Sequence, residues 1–253
     1  MLAIRPAQME VFDAAAQRRF EDEMVVHSQA FSPRLCEVIG EEQLRVALRQ
    51  AMARARSHGF TNRGPIRLFI EMTFLFGSDF DTDPQYPWAA QILMGPDEQM
   101  QRAEQLYHKI VEYQNRVSGQ AAVNTRKALT DLLEWAHGPI TFSQSDFEGR
   151  MRQEMARIFP RKADFVGDRG MSSLVHSGKT AADKYYFVSP RAQGLVIALM
   201  FAFGHGCVDD PLYPWISSTL ADPRLADSAG RADRLEKKSI TWLEHVLARR
   251  SEG

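Results

Sequence analysis

The chain has 253 residues, of which 44% are hydrophobic and 25% are charged, and its net charge is -1. This composition is typical of a soluble globular protein, and the length allows one large domain or two small ones. Because neither half carries a basic excess, the charge balance argues against nucleic acid or an anionic membrane as a partner.

Apolar residues recur every three or four positions along the first half, and strand signals are almost absent. Pro6 suits the first turn of a helix, and the apolar stripe that follows it continues to Phe31. The run from Ile66 to Phe76 is apolar on most sides, which predicts a buried helix. The helices predicted for the first half cover residues 6–31, 44–55, 66–76, 96–111 and 120–136.

The second half repeats this order of helical signals. An apolar stripe runs from Phe147 to Ile158, and Ser189-Pro190 forms a helix cap before the apolar run at residues 194–203. The stripe of the last helix runs from Leu235 to Leu247. The chain is therefore predicted to be all-α.

Two stretches of the chain are copies of each other at an offset of 127 residues. The segment from Phe76 to Trp88 aligns without a gap onto the segment from Phe203 to Trp215. From Phe20/Phe147 to Pro96/Pro223, 20 of 77 aligned pairs are identical. This repeat predicts an internal duplication, in which two tandem copies of a helical unit pack about an approximate twofold axis. Beyond Pro96 the register shifts by about two residues, so Tyr113 would align with Trp242.

The predicted repeats cover residues 1–138 and 139–253, or together form one compact pseudo-symmetric domain. Their boundary is placed at Gly138-Pro139-Ile140-Thr141, because Gly and Pro interrupt the helical pattern there. No linker rich in Pro, Gly or Ser separates the two repeats.

Several residues shared by the two copies have a clear backbone role. Gly77 and Gly204 each follow an apolar run, where a helix ends on a residue that can adopt positive φ. Asp83-Pro84 and Asp210-Pro211 set a turn, because Asp can bond its own downstream backbone and Pro fixes φ. The Tyr-Pro-Trp that follows supplies two large rings that fasten the connection to the core. We interpret these glycines, aspartates and prolines as the structural motif of the repeat.

The cysteines and the apolar runs indicate a cytoplasmic protein. Cys36 and Cys207 occupy unrelated positions of the two copies, so a disulfide framework is not expected. The apolar run at Met1–Pro6 is too short for a secretory signal. The longest apolar run, Leu195–Phe203, has nine residues and cannot span a bilayer.

The acidic loop from Asp79 through Asp81 to Asp83 resembles the start of an EF-hand, in which oxygen ligands alternate along the chain. However, Pro84 stands where that motif needs Gly, and Ala90 stands where it needs a bidentate Glu. The second copy has Gly and Val in place of the first two acids. No metal site is therefore predicted, and a divalent cation held by the first copy alone is the alternative.

Other chemistry finds less support in the residue pattern. The cluster of His205, Cys207 and Asp209-Asp210 would suit zinc, but no companion Cys/His pair occurs at ligand spacing. Gly178-Lys179-Thr180 resembles the end of a phosphate loop but lacks the earlier glycine and the preceding strand. No nucleophile motif is present. No cofactor is predicted, and a metal-dependent enzyme of unknown type is kept as an alternative.

Large side chains in the two loops form the candidate partner-binding surface, because aromatic residues dominate interface hot spots. Phe80 is the best candidate contact, since its counterpart is Cys207 and the fold does not demand a ring there. Core packing is the competing interpretation for the two tryptophans. The candidate partner-binding residues are Asp79, Phe80, Asp81, Tyr86, Trp88, Tyr213 and Trp215.

The segment from Phe60 to Ala89, with the string FGSDFDTDPQYPW at residues 76–88, resembles a set of bacterial proteins encoded beside type VI secretion effectors. Neighbours of those proteins include spike-tip PAAR proteins and effector-loading chaperones. Residues 187–215 share the resemblance less closely. The matching string carries no catalytic residue.

The resemblance implies a non-catalytic, protein-binding accessory factor, namely a chaperone or adaptor that helps an effector load onto the spike. The alternative is a cytoplasmic immunity protein that neutralises a cognate toxin. In both cases the expected partner is a protein, either the secreted effector or toxin or a spike-tip component. The oligomeric state is not predicted.

Overall fold

The computed structural model describes residues 6–138, 144–225 and 227–248, and all regular secondary structure in these ranges is helical. The prediction of an all-α chain is therefore confirmed for this part of the molecule. Within the same ranges, none of the helices combines the length and the apolar character needed to cross a membrane. Of the predicted boundary segment, residues 139–141 lie outside the described ranges.

The helices of the first half are α1 (Pro6–Phe31), α2 (Pro33–Ser57), α3 (Arg63–Phe76), α4 (Pro87–Leu93), α5 (Gln99–Tyr113) and α6 (Val123–His137). Pro33 and Pro87 open α2 and α4, because a proline at the first helical position has a suitable φ and needs no hydrogen-bond donor. α2 begins earlier than predicted and is interrupted at Gly40, where φ is 76° and ψ is 162°. Glycine adopts this conformation without a steric penalty. A π-helical turn at Gln114–Ser118 and a 3-10 turn at Gln120–Ala122 connect α5 to α6.

The helices of the second half are α7 (Phe147–Ile158), α8 (Pro160–Asp183), α9 (Pro190–Phe203), α10 (Pro214–Leu220) and α11 (Ser228–Leu247). The predicted cap of α9 is present, because the Ser189 hydroxyl accepts a hydrogen bond from the Ala192 amide at 3.2 Å. α8 was not predicted from the sequence. It is interrupted at Gly167, where φ is 72° and ψ is 167°.

Corresponding helices of the two halves have bounds that differ by a constant number of residues. Both ends of α3 and α9 differ by 127 residues, as do both ends of α4 and α10. The backbone that follows α3 and α9 is also alike, with φ/ψ of 96°/160° at Gly77 and 102°/152° at Gly204. Tyr86 and Tyr213, which precede α4 and α10, have φ/ψ of -130°/56° and -128°/54°.

Buried side chains of both halves belong to one continuous hydrophobic core. α9 lies inside it, because its residues from Ala192 to Phe201 are all buried. α3 contributes Phe69, Ile70 and Met72, which are also buried. This agrees with the prediction that the run from Ile66 to Phe76 forms a buried helix. The core carries the two loops that follow α3 and α9, where the sequence placed the candidate site.

Candidate functional site

The loops at residues 77–86 and 204–213, called the crossed loops below, hold each other in place through two buried aspartates. The Ser78 amide and hydroxyl donate hydrogen bonds to the Asp210 carboxylate at 2.8 and 2.6 Å. In the reverse direction, the His205 amide donates to the Asp83 carboxylate at 2.8 Å. Burial raises the pKa of Asp210, against the opposing effect of the Ser78 hydrogen bonds. Each aspartate therefore bonds the loop that the other half supplies.

The same aspartates also shape their own turns, as the sequence predicted. Asp83 accepts a hydrogen bond from the Gln85 amide at 2.8 Å, and Asp210 accepts one from the Leu212 amide at 2.8 Å. The hydrogen bonds of these aspartates to the opposite half could not be predicted from the sequence, because they join residues more than 120 positions apart.

Gly77 and Gly204 lie back to back where the crossed loops meet. A Cβ atom added to Gly77 would lie 2.4 Å from the carbonyl oxygen of Phe203, and one added to Gly204 would lie 2.4 Å from that of Phe76. Real Cβ atoms do not come that close to backbone oxygen, so any larger residue would push the loops apart. The two glycines are thus needed for the approach of the halves as well as for their positive φ.

Asp79 and Asp81 of the acidic loop are neutralised by basic side chains of α2 and its C-terminal end. Arg54 contacts the Asp79 carboxylate and donates from its Nε to Asp81 at 2.8 Å, while its Nη2 lies 2.7 Å from the other oxygen of Asp81. His58 Nε2 lies 2.6 Å from the Asp81 carboxylate. The chain therefore supplies its own positive charge to this loop. Among the described residues, no three His, Cys, Asp or Glu side chains are grouped so that they could hold a metal ion.

The residues considered for zinc have structural environments. Cys207 is fully buried, and burial raises the pKa of its thiol. His205 Nδ1 lies 3.5 Å from the Asp83 carboxylate. Burial lowers the pKa of His205, but the nearby carboxylates, Asp83 foremost, have the larger combined effect and leave it raised. His205 and Asp83 therefore form a pH-dependent contact within the crossed loops.

The side chain of Phe80, which the sequence offered as the best candidate contact with a partner, has no exposed surface in this structure. Its ring packs 4.7 Å from that of Phe69 and 6.4 Å from that of Phe76. The acidic loop turns this ring inward, and Cys207 at the corresponding position is also buried. Both halves thus place an apolar side chain in the core at this point.

Three of the six other candidate partner-binding residues are also buried. Tyr86, Tyr213 and Asp81 retain 1%, 6% and 4% of their surface, which leaves little for a partner. Trp88 and Trp215 are partly buried against the core. Trp215 lines a surface groove.

Lys162 of α8 is a buried base beside the crossed loops that the sequence did not reveal. Its ammonium group donates to the Phe201 carbonyl and lies 5.6 Å from the centre of the Tyr86 ring. Burial lowers the pKa of Lys162 to about 8, while the Asp83 charge acts in the opposite direction. The corresponding residue of the first half is Leu35, so only a comparison of the two copies marks this lysine as unusual.

A surface groove, called the Trp groove below, runs between α2, α10 and α11 and has a volume of about 540 Å³. Its floor contains Trp215 and Trp242, whose rings are stacked with centroids 6.3 Å apart. Trp242 is held from below by Phe203 and Tyr213, with ring centroids at 4.8 and 5.6 Å. The groove is lined by Glu37, Val38, Ile39, Pro214, Trp215, Arg234, Lys237, Lys238, Thr241, Trp242 and His245.

The rim of the Trp groove is basic although the chain as a whole has a net charge of -1. Arg234, Lys237 and Lys238 of α11 form no salt bridge with any described residue. The acidic residue of the lining, Glu37, lies 3.5 Å from Arg34. The spacing of the basic residues along α11 is visible in the sequence, but the groove also needs α2 and α10, which are far away along the chain.

Comparisons with family models, curated proteins and solved structures find no match to the chain. Asp83 and Asp210 link the two halves, whereas Asp79 and Asp81 are paired with Arg54 and His58 of the first half. Most rings of the crossed loops pack in the core. The Trp groove combines the partly exposed Trp215 with basic side chains of α11 that form no salt bridge with any described residue.

Proposed function

We propose that this protein is a non-catalytic, protein-binding accessory factor whose contact surface is the Trp groove. The open groove with its tryptophan floor and basic rim is the observation that carries the proposal. Aromatic residues and arginine supply most of the binding energy of protein interfaces, and charged rims set specificity and association rate. The volume of about 540 Å³ is in the range of sites that accept a side chain with its flanking backbone.

The proposed partner is a secreted effector of a type VI secretion system, with this protein acting as its chaperone or adaptor in the cytoplasm. The support is the resemblance of residues 60–89 to accessory proteins encoded beside such effectors. Burial of both free cysteines, Cys36 and Cys207, fits a reducing compartment. The matching string belongs largely to the crossed loops. Its resemblance to those proteins would therefore reflect a shared fold, whereas the partner would contact the Trp groove.

The proposal includes the internal duplication, with the two copies packed about an approximate twofold axis. It is supported by the constant offset between the bounds of corresponding helices and by their matching backbone angles. The exchanged hydrogen bonds of Asp83 and Asp210, and the mutual approach of Gly77 and Gly204, are the contacts that such an axis would produce.

Co-purification with the effector encoded beside this protein tests the function. A tagged chain should retain the effector as a stoichiometric complex. The double variant Lys237→Glu/Lys238→Glu should retain less of it, because reversal of the rim charge weakens association. Lys184→Glu, an exposed lysine away from the groove, is the control and should behave as the unmodified chain. A tagged chain that never retains the effector would refute the proposal.

A toxicity assay separates the chaperone role from the immunity role. Cells that produce the effector alone and together with this protein are compared at matched expression. A chaperone should raise the amount of soluble, secreted effector, whereas an immunity protein should rescue growth while the effector is active. Rescue without any effect on secretion would replace the chaperone proposal by the immunity alternative.

A further inference from the structure

We propose that the Trp groove binds a segment of its partner that carries an aromatic side chain next to acidic residues. This inference rests on the proposed function, because it assumes a protein partner at the groove. It goes further by stating the chemistry that the partner must present. At the corresponding place beside the end of α5, the same kind of environment is already filled by a ring of the chain.

Beside α5 of the first half, at the place that corresponds to the groove, α8 of the second half supplies an aromatic ring, Phe165. Phe165 packs edge-on against Tyr113 with ring centroids 5.3 Å apart. The guanidinium of Arg116 lies over the same ring, 5.3 Å from its centre. Phe165 therefore contacts both an aromatic ring and a cation.

In the second half, the surrounding groups are present but the ring is missing. At an offset of 129 residues, Trp242 replaces Tyr113 and His245 replaces Arg116. At an offset of 127 residues, Phe165 is replaced by Val38, which is much smaller and lines the open groove. The groove thus keeps an aromatic floor and has the basic side chains Lys237 and Lys238 in its lining, and a partner can supply the ring.

The second half also lacks a carboxylate that the first half has at the corresponding position. In the first half, Glu112 lies 2.8 Å from Lys109 and 2.7 Å from Arg116, so it neutralises both. The residue that corresponds to Glu112 is Thr241, whose hydroxyl instead bonds the backbone of its own helix. The basic groups of the groove therefore receive no carboxylate from that position, and an acidic residue of the partner would complement them.

Two substitutions test the inference by giving the groove the groups that are present at the corresponding place beside α5. Val38→Phe supplies the ring, and Thr241→Glu supplies the carboxylate. Matched controls are Val46→Phe, on the same helix but outside the groove, and Thr180→Glu, an exposed helical threonine with the same kind of backbone bond. The probe is a fluorescent twelve-residue peptide with one Phe between Asp and Glu residues. Its Phe→Ala version and its Asn/Gln version are the peptide controls.

The acidic Phe peptide should bind the unmodified chain, and added salt should weaken its binding. Val38→Phe should weaken binding about tenfold or more, because it fills the place of the incoming ring. Thr241→Glu should weaken it about threefold or more through charge repulsion. The control proteins should stay within about twofold, since surface changes away from a site have small effects. Both peptide controls should bind more weakly than the parent peptide.

Three outcomes would overturn the inference: no binding of the acidic Phe peptide, equal binding of its Phe→Ala version, or full binding by the Val38→Phe and Thr241→Glu proteins. If Val38→Phe fails to fold, Thr241→Glu alone decides, because it changes an exposed side chain. The two proposals fail in different ways. If the proposed function is wrong, the unmodified chain does not retain the effector. If only the present inference is wrong, the Val38→Phe protein retains the effector as well as the unmodified chain does.

Discussion

Replacement of Gly77 by alanine should destabilise the protein more than replacement of Gly40, although both glycines have similar backbone conformations. Their φ/ψ values are 96°/160° and 76°/162°. A Cβ on Gly40 would meet nothing within 4 Å, whereas one on Gly77 would lie 2.4 Å from the Phe203 carbonyl oxygen. The pair of variants therefore separates backbone strain, which both share, from the contact between the crossed loops, which only Gly77→Ala disturbs.

The expected magnitudes follow from these two contributions. A side chain in this region of φ/ψ space costs about 1–3 kcal/mol. Displacement of the Phe203 carbonyl by the new methyl group adds about 1–3 kcal/mol. Gly40→Ala should thus lower the free energy of unfolding by about 1–3 kcal/mol, and Gly77→Ala by about 2–6 kcal/mol. Gly204→Ala should match Gly77→Ala, because its Cβ would lie 2.4 Å from the Phe76 carbonyl oxygen.

Urea unfolding, followed by circular dichroism and tryptophan fluorescence, measures these free energies. The denaturant slope should be unchanged, so that the shift of the midpoint reports stability alone. Equal losses in the Gly40 and Gly77 variants would refute the close contact between the crossed loops. A loss in Gly204→Ala as small as that in Gly40→Ala would refute the reciprocal nature of the contact.

Three further predictions concern titratable groups. The pKa of His205 is raised, so its charged contact with Asp83 stabilises the fold below pH 6.5, and this stabilisation is lost as pH rises through the raised pKa. The free energy of unfolding, measured with urea, should therefore decline between pH 5.5 and 8.5. His205→Gln should remove this decline. With its pKa lowered to about 8, Lys162 should destabilise the neutral-pH protein by roughly 3 kcal/mol relative to Lys162→Met, and this gap should narrow between pH 8 and 10.5. A gap that stays constant would contradict the burial of a charged lysine. Cys36 and Cys207, whose pKa values are raised by burial, should react with Ellman's reagent only after unfolding; fast reaction of either thiol in the native protein would contradict its burial.

Helix positions were largely predictable, because the apolar spacing and the helix-opening prolines are local signals. The run from Ile66 to Phe76 lies within α3, as predicted. The short helices α4 and α10 were missed, since each has seven residues, fewer than the two turns needed to show a period. α8 was missed; its sequence contains Gly167, Gly170 and Gly178, which weaken the local helical signal.

The environment of Phe80 was not predictable from its alignment with Cys207. The pairing suggested that the fold does not need a ring at this position. In the structure, Phe80 packs on Phe69, whose counterpart in the second half is Val196. The first half thus has two rings where the second half has two smaller side chains. A position-by-position alignment shows each difference but does not show that the two side chains touch.

The Trp groove shows the same limit at longer range. Its basic residues on α11 recur at helical spacing and could have been noticed in the sequence. These basic residues line a groove only because Val38 and Trp215, which come from two distant helices, lie beside them. The partners of Asp79 and Asp81 were likewise hidden, because Arg54 precedes them by more than twenty residues.

The crossed loops make each half dependent on the other for its completion. Produced alone, the first half would carry the buried Asp83 without the His205 amide, and the second half would carry Asp210 without Ser78. Two separately synthesised fragments should therefore gain order only when mixed. A split version of this protein would behave as a complementation pair, in which the recovery of structure reports that the two pieces have met.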